Sequence, residues 1–474
     1  MSSRASGMGQ RSGTGFEAGD NLFERQFGLR AHGTTVRTEV MAGVTTFMVM
    51  SYIIAVNPSI LNLGGGGLDV RQVATVTCLA AGLLTIAMGL YANRAIAIAP
   101  GLGLNAIVAF TLVGSMGLTF PQAMGVVVAE GLVITLLVLL GIREYVLDVV
   151  PLALKQAISV GIGFFILFIG LRNAGVAGVG GAGLPELLPL NTWPIFVAIA
   201  GLVITLVLVA RGVRGGILWG ILAATAIAFV VPGDVATFPA EPLAGPDFGL
   251  IGEFSFGFIG ELGILTAILV VFSLLLADFF DTMGTLVGVG SRAGYLDDEG
   301  QFIDARKPLL VDSAAAAISG AMSASSSTSY IESVAGVEAG GRTGLVSVVT
   351  GLLFLLSLPF VAVVSAIPAV ATAPALIVVG CLMVGVLGGR ESGSGALGRP
   401  IAWDDFEEGV PVVLTMLVMP FTTNITNGIG AGFVSYVLLK VARGRAGAVH
   451  PAMYVIAAAF LVYFLRWALF DATF

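Results

Sequence analysis

Charge is scarce in this chain, and so are the residues that carry covalent or metal chemistry. Only 11% of its 474 residues are charged, against about 25% in ordinary soluble domains. There are two cysteines and two histidines. Cys78 and Cys381 each fall within an apolar stretch and in no ligand-like cluster, which argues against a disulfide framework or a zinc site. His32 and His450 flank the apolar stretches, so no buried histidine relay is expected. Residues 1–30 are rich in Ser, Gly and Arg and lack the apolar segment of a signal peptide; they read as a disordered cytoplasmic tail. The stretch 233–260 has no Lys or Arg, although it carries Asp234, Glu241, Asp247 and Glu253. Nothing in this inventory calls for a cofactor or a metal.

What the chain does have is apolar length. It is 57% hydrophobic with a mean hydropathy of +1.00, and its apolar runs approach the roughly 20 residues that cross a bilayer as a helix. The expected fold is an all-α polytopic membrane protein. Seven spans fall near 39–61, 70–91, 95–114, 122–141, 153–171, 194–210 and 215–232. After the acidic linker, seven more fall near 262–290, 307–322, 325–341, 343–364, 370–389, 409–423 and 427–443. Two sevens in series have opposite orientations, which is the arrangement of an inverted repeat with 14 transmembrane segments. Arg37, Arg94, Arg143, Arg211, Arg214, Arg292, Arg306, Lys307, Arg342, Arg390, Arg399, Lys440, Arg443 and Arg445 fall on one side of this threading, and the acidic linker falls on the other. The positive-inside rule then puts the N-terminus in the cytoplasm. A last apolar stretch, 451–470, reads as an interfacial or extra helix, with Arg466 and Trp467 leaning towards the interface.

Three carboxylates stand out against this background. Asp278 and Asp281 lie inside the apolar run 262–290, and Glu332 closes the polar stretch SASSSTSYIE at 323–332. An acid at bilayer depth costs roughly 2.5–3.5 kcal/mol on insertion scales, so such residues mark solute or ion pathways. Asp278 and Asp281 share roughly one helix face, which Thr282 and Thr285 extend. Burying both as anions is costly, so one of them is expected to titrate or to pair. A polar helix contact with no solute is the bland alternative. Glu338 and Arg342 read as a structural pair or a gate.

Two segments are poor helices at matching places in the two halves: AIAIAPGLGLN near 95–105 and SASSSTSYIE at 323–332. Interrupted backbone at membrane depth survives only where protein buries it or it lines a cavity. Matched interruptions are the sequence pointer to a carrier's binding site. GLGLNA at 101–106 fits a loose dinucleotide fingerprint, but no soluble strand–helix–strand unit surrounds it. Its glycines, Gly103 among them, instead permit close backbone approach, and Asn105 offers an amide to a solute or caps a half-helix. An intramembrane aspartyl protease would need two acids brought from different helices, and a pair three apart on one helix does not supply that. An inorganic-anion carrier would be expected to present positive charge at the site, and none of these motifs contains a Lys or Arg. No enzyme and no nucleic-acid partner is expected.

TEVMAGVTTFMVMSYIIAVNPSIL (38–61), APGLGLNA (99–106), ADFFDTMGTLVGVG (277–290) and SSSTSYIESVAGVEAGGRTG (325–344) together resemble the AzgA-like purine permeases of the nucleobase–cation symporter-2, or nucleobase–ascorbate, group. The resemblance runs from about residue 23 to the C-terminus. It implies two inverted sevens with spans 3 and 10 interrupted by short extended segments. It also implies a core domain (31–141 and 262–364) and a gate domain (142–232 and 365–445), joined by an extracellular linker (233–261) and ending in a C-terminal helix (446–474). The implied activity is proton-coupled import of adenine, guanine and hypoxanthine across the plasma membrane, with H+ rather than Na+ as the coupling ion and a homodimer through the gate domain. Uracil, xanthine or another solute carried on the same fold is the alternative. The family's substrate carboxylate on span 8 maps to Asp281, or to Asp278 one turn earlier. Its span-10 carboxylate maps to Glu332 and its span-3 amide to Asn105. Thr285 takes the place of the histidine of the related uracil carriers. Asp278, Asp281 and Glu332 are the candidates for proton coupling. A purine is flat and rich in ring N–H groups, which suits a carboxylate acceptor and an amide that both donates and accepts. Tyr330, Phe47 or Phe279 could cover its faces.

Overall fold

The computed structural model describes residues 22–63, 67–141, 149–179, 185–239, 241, 244–297, 302–385 and 401–469. Within them the chain is mostly helical, and the expected apolar runs are helices. Eight are long and apolar enough to cross a membrane: Val36–Asn62, Val70–Ala92, Phe120–Leu139, Leu152–Asn173, Trp193–Ala210, Ile264–Ala293, Gly344–Val364 and Ile425–Ala442. Leu102–Ser115, Gly216–Val230, Ala369–Val384 and Pro451–Leu465 are apolar but shorter. Side chains fix several starts. Thr35, Asp69, Thr343, Asp405 and Asn424 each accept a hydrogen bond from a backbone amide in the first turn they precede. Thr119 and Gln122 form a reciprocal capping box before Phe120–Leu139.

The two segments expected to be interrupted are not helical where they meet. Ile98–Pro100 (β1) is extended and pairs antiparallel with Ser327–Ser329, the last of four short strands (β4). Ala177–Val179 (β2) and Pro185–Leu187 (β3) make a separate hairpin at the surface. Ile98 stands opposite Ser329, Ala99 opposite Thr328 and Pro100 opposite Ser327. Each strand leads into a short helix: Leu102–Ala106, continued in wider π-type turns to Ser115, and Ser333–Glu338. Pro100 has no amide to donate, which suits the end of a two-stranded ribbon.

Helices from both halves of the sequence interleave in two groups. Phe120–Leu139 packs against Arg306–Ala321, and Val70–Ala87 against Gly344–Leu356. Leu152–Asn173 packs against Ala369–Val384 and Phe406–Thr422; Trp193–Ala210 lies on Gly216–Val230, and Phe406–Thr422 on Ile425–Ala442. Small residues let these backbones approach. A Cβ on Gly89 would sit 2.4 Å from the Gly344 carbonyl oxygen, and one on Gly344 would sit 2.0 Å from that of Gly89. The same two helices touch again one heptad away, at Gly82 and Gly351.

Three readings need correction. The tail expected to be disordered through residue 30 already folds at Leu22–Phe27, and Phe27 and Leu29 are buried against Leu345; residues 1–21, like Arg143, Arg390 and Arg399, lie outside the described residues. Glu338 does not pair with Arg342. Its carboxylate takes the Arg292 guanidinium, while Arg342 donates to the carbonyls of Val337 and Gly341. Phe47 stacks edge-on against Phe354 instead of facing a ligand. The last stretch is a helix, Pro451–Leu469, whose Phe460 packs on Phe433 of Ile425–Ala442.

Candidate functional site

At membrane depth the β1–β4 ribbon has no water to complete its hydrogen bonds, so neighbouring helices must do so. Thr85 Oγ1 serves both sides of Ile98, donating to its carbonyl at 2.8 Å and accepting from its amide at 2.9 Å. Asp312 does the same for the other strand. Its Oδ1 accepts from the Ser329 amide at 2.7 Å and the Ser329 hydroxyl at 2.6 Å, and its Oδ2 accepts from Thr282 Oγ1 at 2.5 Å. The ribbon continues beyond the strands: Tyr330 N donates to Ala97 O, Gly101 N to Ser326 O, and Ala97 N to Ser333 Oγ. Tyr330 is therefore a clamp as well as an aromatic wall, its hydroxyl donating to the Pro100 carbonyl at 2.5 Å. Asp312 lies within a run of small residues, and its position inside an apolar span was the signal that could have found it.

Glu332 precedes the Ser333–Glu338 half-helix, and its Oε1 accepts the Tyr52 hydroxyl at 2.6 Å. Asp281 has Asp312 and Glu332 as charged neighbours, so the two acids from the separate motifs do come together. Among the described residues no donor reaches Asp281. It borders a cavity of about 10 Å³, lined also by Gly103, Leu104, Phe280, Ile158 and Met383, which is the space of a single water. Gly103 earns its place there by size, since a Cβ on it would lie 2.6 Å from Ile162 Cγ2. Asn105 sits inside the Leu102–Ala106 helix, so it is not the cap; Gly101 holds that position. Its amide is wholly buried, and neither Oδ1 nor Nδ2 has a partner among the described residues. Unsatisfied buried amides are rare, so this one stands out among the described residues. Thr285 is buried one helical turn beyond Asp281, on the same face.

Asp278 is placed differently from Asp281. It is fully buried, and its charged neighbours are Glu130, Asp312 and Asp281. Glu130, from Phe120–Leu139, is the residue that motif reading missed, although an acid within an apolar span was the same signal that marked Asp278. Two acids from different helices thus do meet, contrary to the expectation from spacing alone. Both are sealed at 0% exposure, which denies a hydrolytic water or a peptide access to them. A cation is also closer than the sequence spacing suggested: Lys155 Nζ stands 5.9 Å from the centre of the Phe280 ring.

In fold the chain is similar to the transmembrane domain of the bicarbonate transporter BicA of a cyanobacterium, with TM-score 0.60 at 16% identity over 84% of this chain and 97% of that one. It is similar as well to the murine Slc26a9 anion transporter in its inward-facing state, with TM-score 0.61 at 12% identity over 92% and 74%. These likenesses define the class: a multi-pass, mostly helical membrane fold. By sequence the chain belongs to the Permease family whose xanthine/uracil permease profile matches residues 37–392. Its relatives include the adenine permease AdeQ of Escherichia coli, 41% identical over 92% of this chain and 94% of that protein. The guanine/hypoxanthine permease PbuG of Bacillus subtilis is 37% identical over 91% and 97%, and a putative permease of Methanocaldococcus jannaschii 39% over 93% and 98%. The chain is a permease and not an enzyme.

Proposed function

We propose that this permease imports purine nucleobases, adenine, guanine or hypoxanthine, by proton symport across the plasma membrane, with its N-terminus in the cytoplasm. The observation that carries the solute assignment is that Asp281 and Glu332 are charged neighbours beside the paired strands, with the buried Asn105, which has no partner among the described residues, on the half-helix that follows β1. Carboxylates accept ring N–H groups, the amide both donates and accepts, and the apolar cavity wall covers a flat ring. The printed activities of the adenine and guanine/hypoxanthine relatives support the same class of solute.

The packing pattern supports two inverted sevens. Counting the eight long helices together with 98–115, 216–230, 306–321, 327–338, 369–384 and 406–422 gives fourteen crossings. Exchanging the first seven for the second turns each main packing pair into another. Phe120–Leu139 on Arg306–Ala321 becomes Gly344–Leu356 on Val70–Ala87, and Trp193–Ala210 on Gly216–Val230 becomes Phe406–Thr422 on Ile425–Ala442. The same pairs support a division into a core (31–141, 262–364) and a gate (142–232, 365–445). The cavity at Asp281 lies between the two groups, with Gly103, Leu104 and Asp281 on one wall and Ile158, Ser159 and Met383 on the other. A bicyclic base does not fit there until the groups part, which favours an elevator-like step over a fixed channel.

Uptake of labelled adenine and hypoxanthine into cells lacking their own purine permeases tests the solute site. Losing one charged hydrogen bond costs about 1.5–3 kcal/mol, so Asp281→Asn and Glu332→Gln should each lower apparent affinity by about 10–100-fold. Near-normal uptake in both variants would sink the assignment. Competition by uracil or xanthine, stronger than by adenine, guanine and hypoxanthine, would replace it with the alternative solute.

A further inference from the structure

Glu130 and Asp278 are the two acids that the solute site leaves unused, and their surroundings are unlike those of the other buried carboxylates. Asp312 receives three donors and Glu332 a tyrosine hydroxyl. Glu39 takes the Arg342 and Thr343 amides and the Thr343 hydroxyl. Glu407 takes Lys440, Arg443 and Arg445. Asp278 has no donor from any other described residue on either oxygen, and Glu130 has none on Oε1. A single long contact, 3.4 Å from Ser326 Oγ, reaches Glu130 Oε2. The two carboxyl groups are neighbours on helices that pack against each other, Phe120–Leu139 and Ile264–Ala293. Two anions in that position would be unsatisfied and mutually repelled, whereas an acid beside a carboxylate makes one charge-assisted hydrogen bond. The charged groups facing the pair are Asp281 on the helix of Asp278 and Asp312 on Arg306–Ala321; both are acids, and neither can replace the missing proton.

We propose that Glu130 and Asp278 form one shared-proton site, and that this site holds the proton the carrier moves while Asp281 and Glu332 hold the solute. The proton comes from water on the extracellular side, binds a carboxylate oxygen of the pair, and returns to water on the cytoplasmic side. Glu130 and Asp278 belong to two helices packed against each other, Phe120–Leu139 and Ile264–Ala293. Protonated, the pair ties these helices together; deprotonated, it pushes them apart. That difference is what links proton loading to the geometry one turn further on, at Asp281.

The proposal rests on the purine reading, and the test separates the two. Purified protein in liposomes is assayed for exchange of labelled adenine at equal pH on both sides, and for accumulation driven by an inward pH gradient. The wild type should do both. Glu130→Gln and Asp278→Asn should each keep exchange but lose gradient-driven accumulation, and the double variant should be no worse than either single. Either single variant carries the test if the other fails to yield monodisperse protein. A wild type that exchanges no purine refutes the solute reading. Accumulation at wild-type level in Glu130→Gln overturns the shared-proton site while leaving the solute reading intact. So does loss of exchange together with accumulation, or accumulation driven by a sodium gradient in place of the pH gradient.

Discussion

Burial and hydrogen-bond supply, more than charge, separate the acids of this protein into roles. Glu39 is wholly buried but satisfied, fixing the start of Gly344–Leu356 through Thr343. Asp281 keeps a face on the cavity. Asp247, in the acidic linker, is 29% exposed and docks that linker on the body. The Gly249 amide, then Gln72 and Arg71, hold its carboxyl below the ordinary aspartate range. A group depressed in this way contributes at neutral pH and loses its contribution as pH falls through the folded-state value. Limited proteolysis of 233–260 should therefore quicken below about pH 4. Asp247→Asn should show the quicker cleavage already at pH 7, and equal cleavage at both pH values in the wild type would mean that Asp247 does not anchor the linker. At this scale the sequence was partly legible. Asp278, Asp281 and Glu332 announced themselves as acids in apolar surroundings, and Glu130 and Asp312 carried the same signal. What residue order does not encode is which acids meet and which receive donors. That depends on how separate helices pack, as with Asp281 and Glu332, 51 positions apart, or Glu130 and Asp278, 148 apart.

At the scale of elements, the ribbon of β1 and β4 and the glycine contacts carry most of the information. The Pro and Gly near 100 and the serines at 323–329 compete with helical hydrogen bonding, so the two interruptions could be read directly. Their pairing could not, because the partner of each strand lies in the other half. Ser323 and Ser325 adopt φ of +58° and +77° ahead of β4, backbone that a serine occupies at a cost. Gly89 and Gly344 let Val70–Ala92 and Gly344–Leu356 touch backbone to backbone. Gly344→Ala places a methyl against a carbonyl that belongs to a helix, not a flexible side chain. Overpacking of this kind costs about 1–3 kcal/mol, so the thermal midpoint in detergent should fall. Gly447→Ala, where nothing lies within 4 Å, should leave it unchanged. Equal midpoints for the two variants would show that the Val70–Ala92 and Gly344–Leu356 helices can separate at no cost.

For the molecule as a whole, the proposed core and gate meet across a cavity of about 10 Å³, so the proposed elevator-like step would need the two groups to part. Ser159 and Ala277 line opposite walls of that cavity. With Cys78 and Cys381 replaced, Ser159→Cys and Ala277→Cys bridged by a short bifunctional thiol reagent should stop uptake. A cleavable reagent should restore it on reduction. Uptake that continues after bridging would exclude relative movement of the groups at this point. Apolar runs were readable as helices because hydropathy reports burial in lipid, and eight of the helices are long and apolar enough to cross a membrane. Their assignment to two groups was not, since lipid-facing and partner-facing apolar surfaces look alike in sequence. Trp193–Ala210 has only 28% of its apolar window buried and Val70–Ala92 72%, yet both are long and apolar enough to cross a membrane.

The β1–β4 ribbon also sets a timetable for biosynthesis. Tyr330 and Pro100, which close it, are 230 positions apart. Translation runs at about 5–20 residues per second, so the first strand waits roughly 10–50 s for its mate to leave the ribosome. Throughout that interval the backbone groups of Ala99 and Gly101 have no strand opposite them, in a membrane that offers none. Nascent chains stalled before residue 327 should therefore be the forms that membrane quality-control proteases recognise, and the forms to which a protecting insertase must hold on longest.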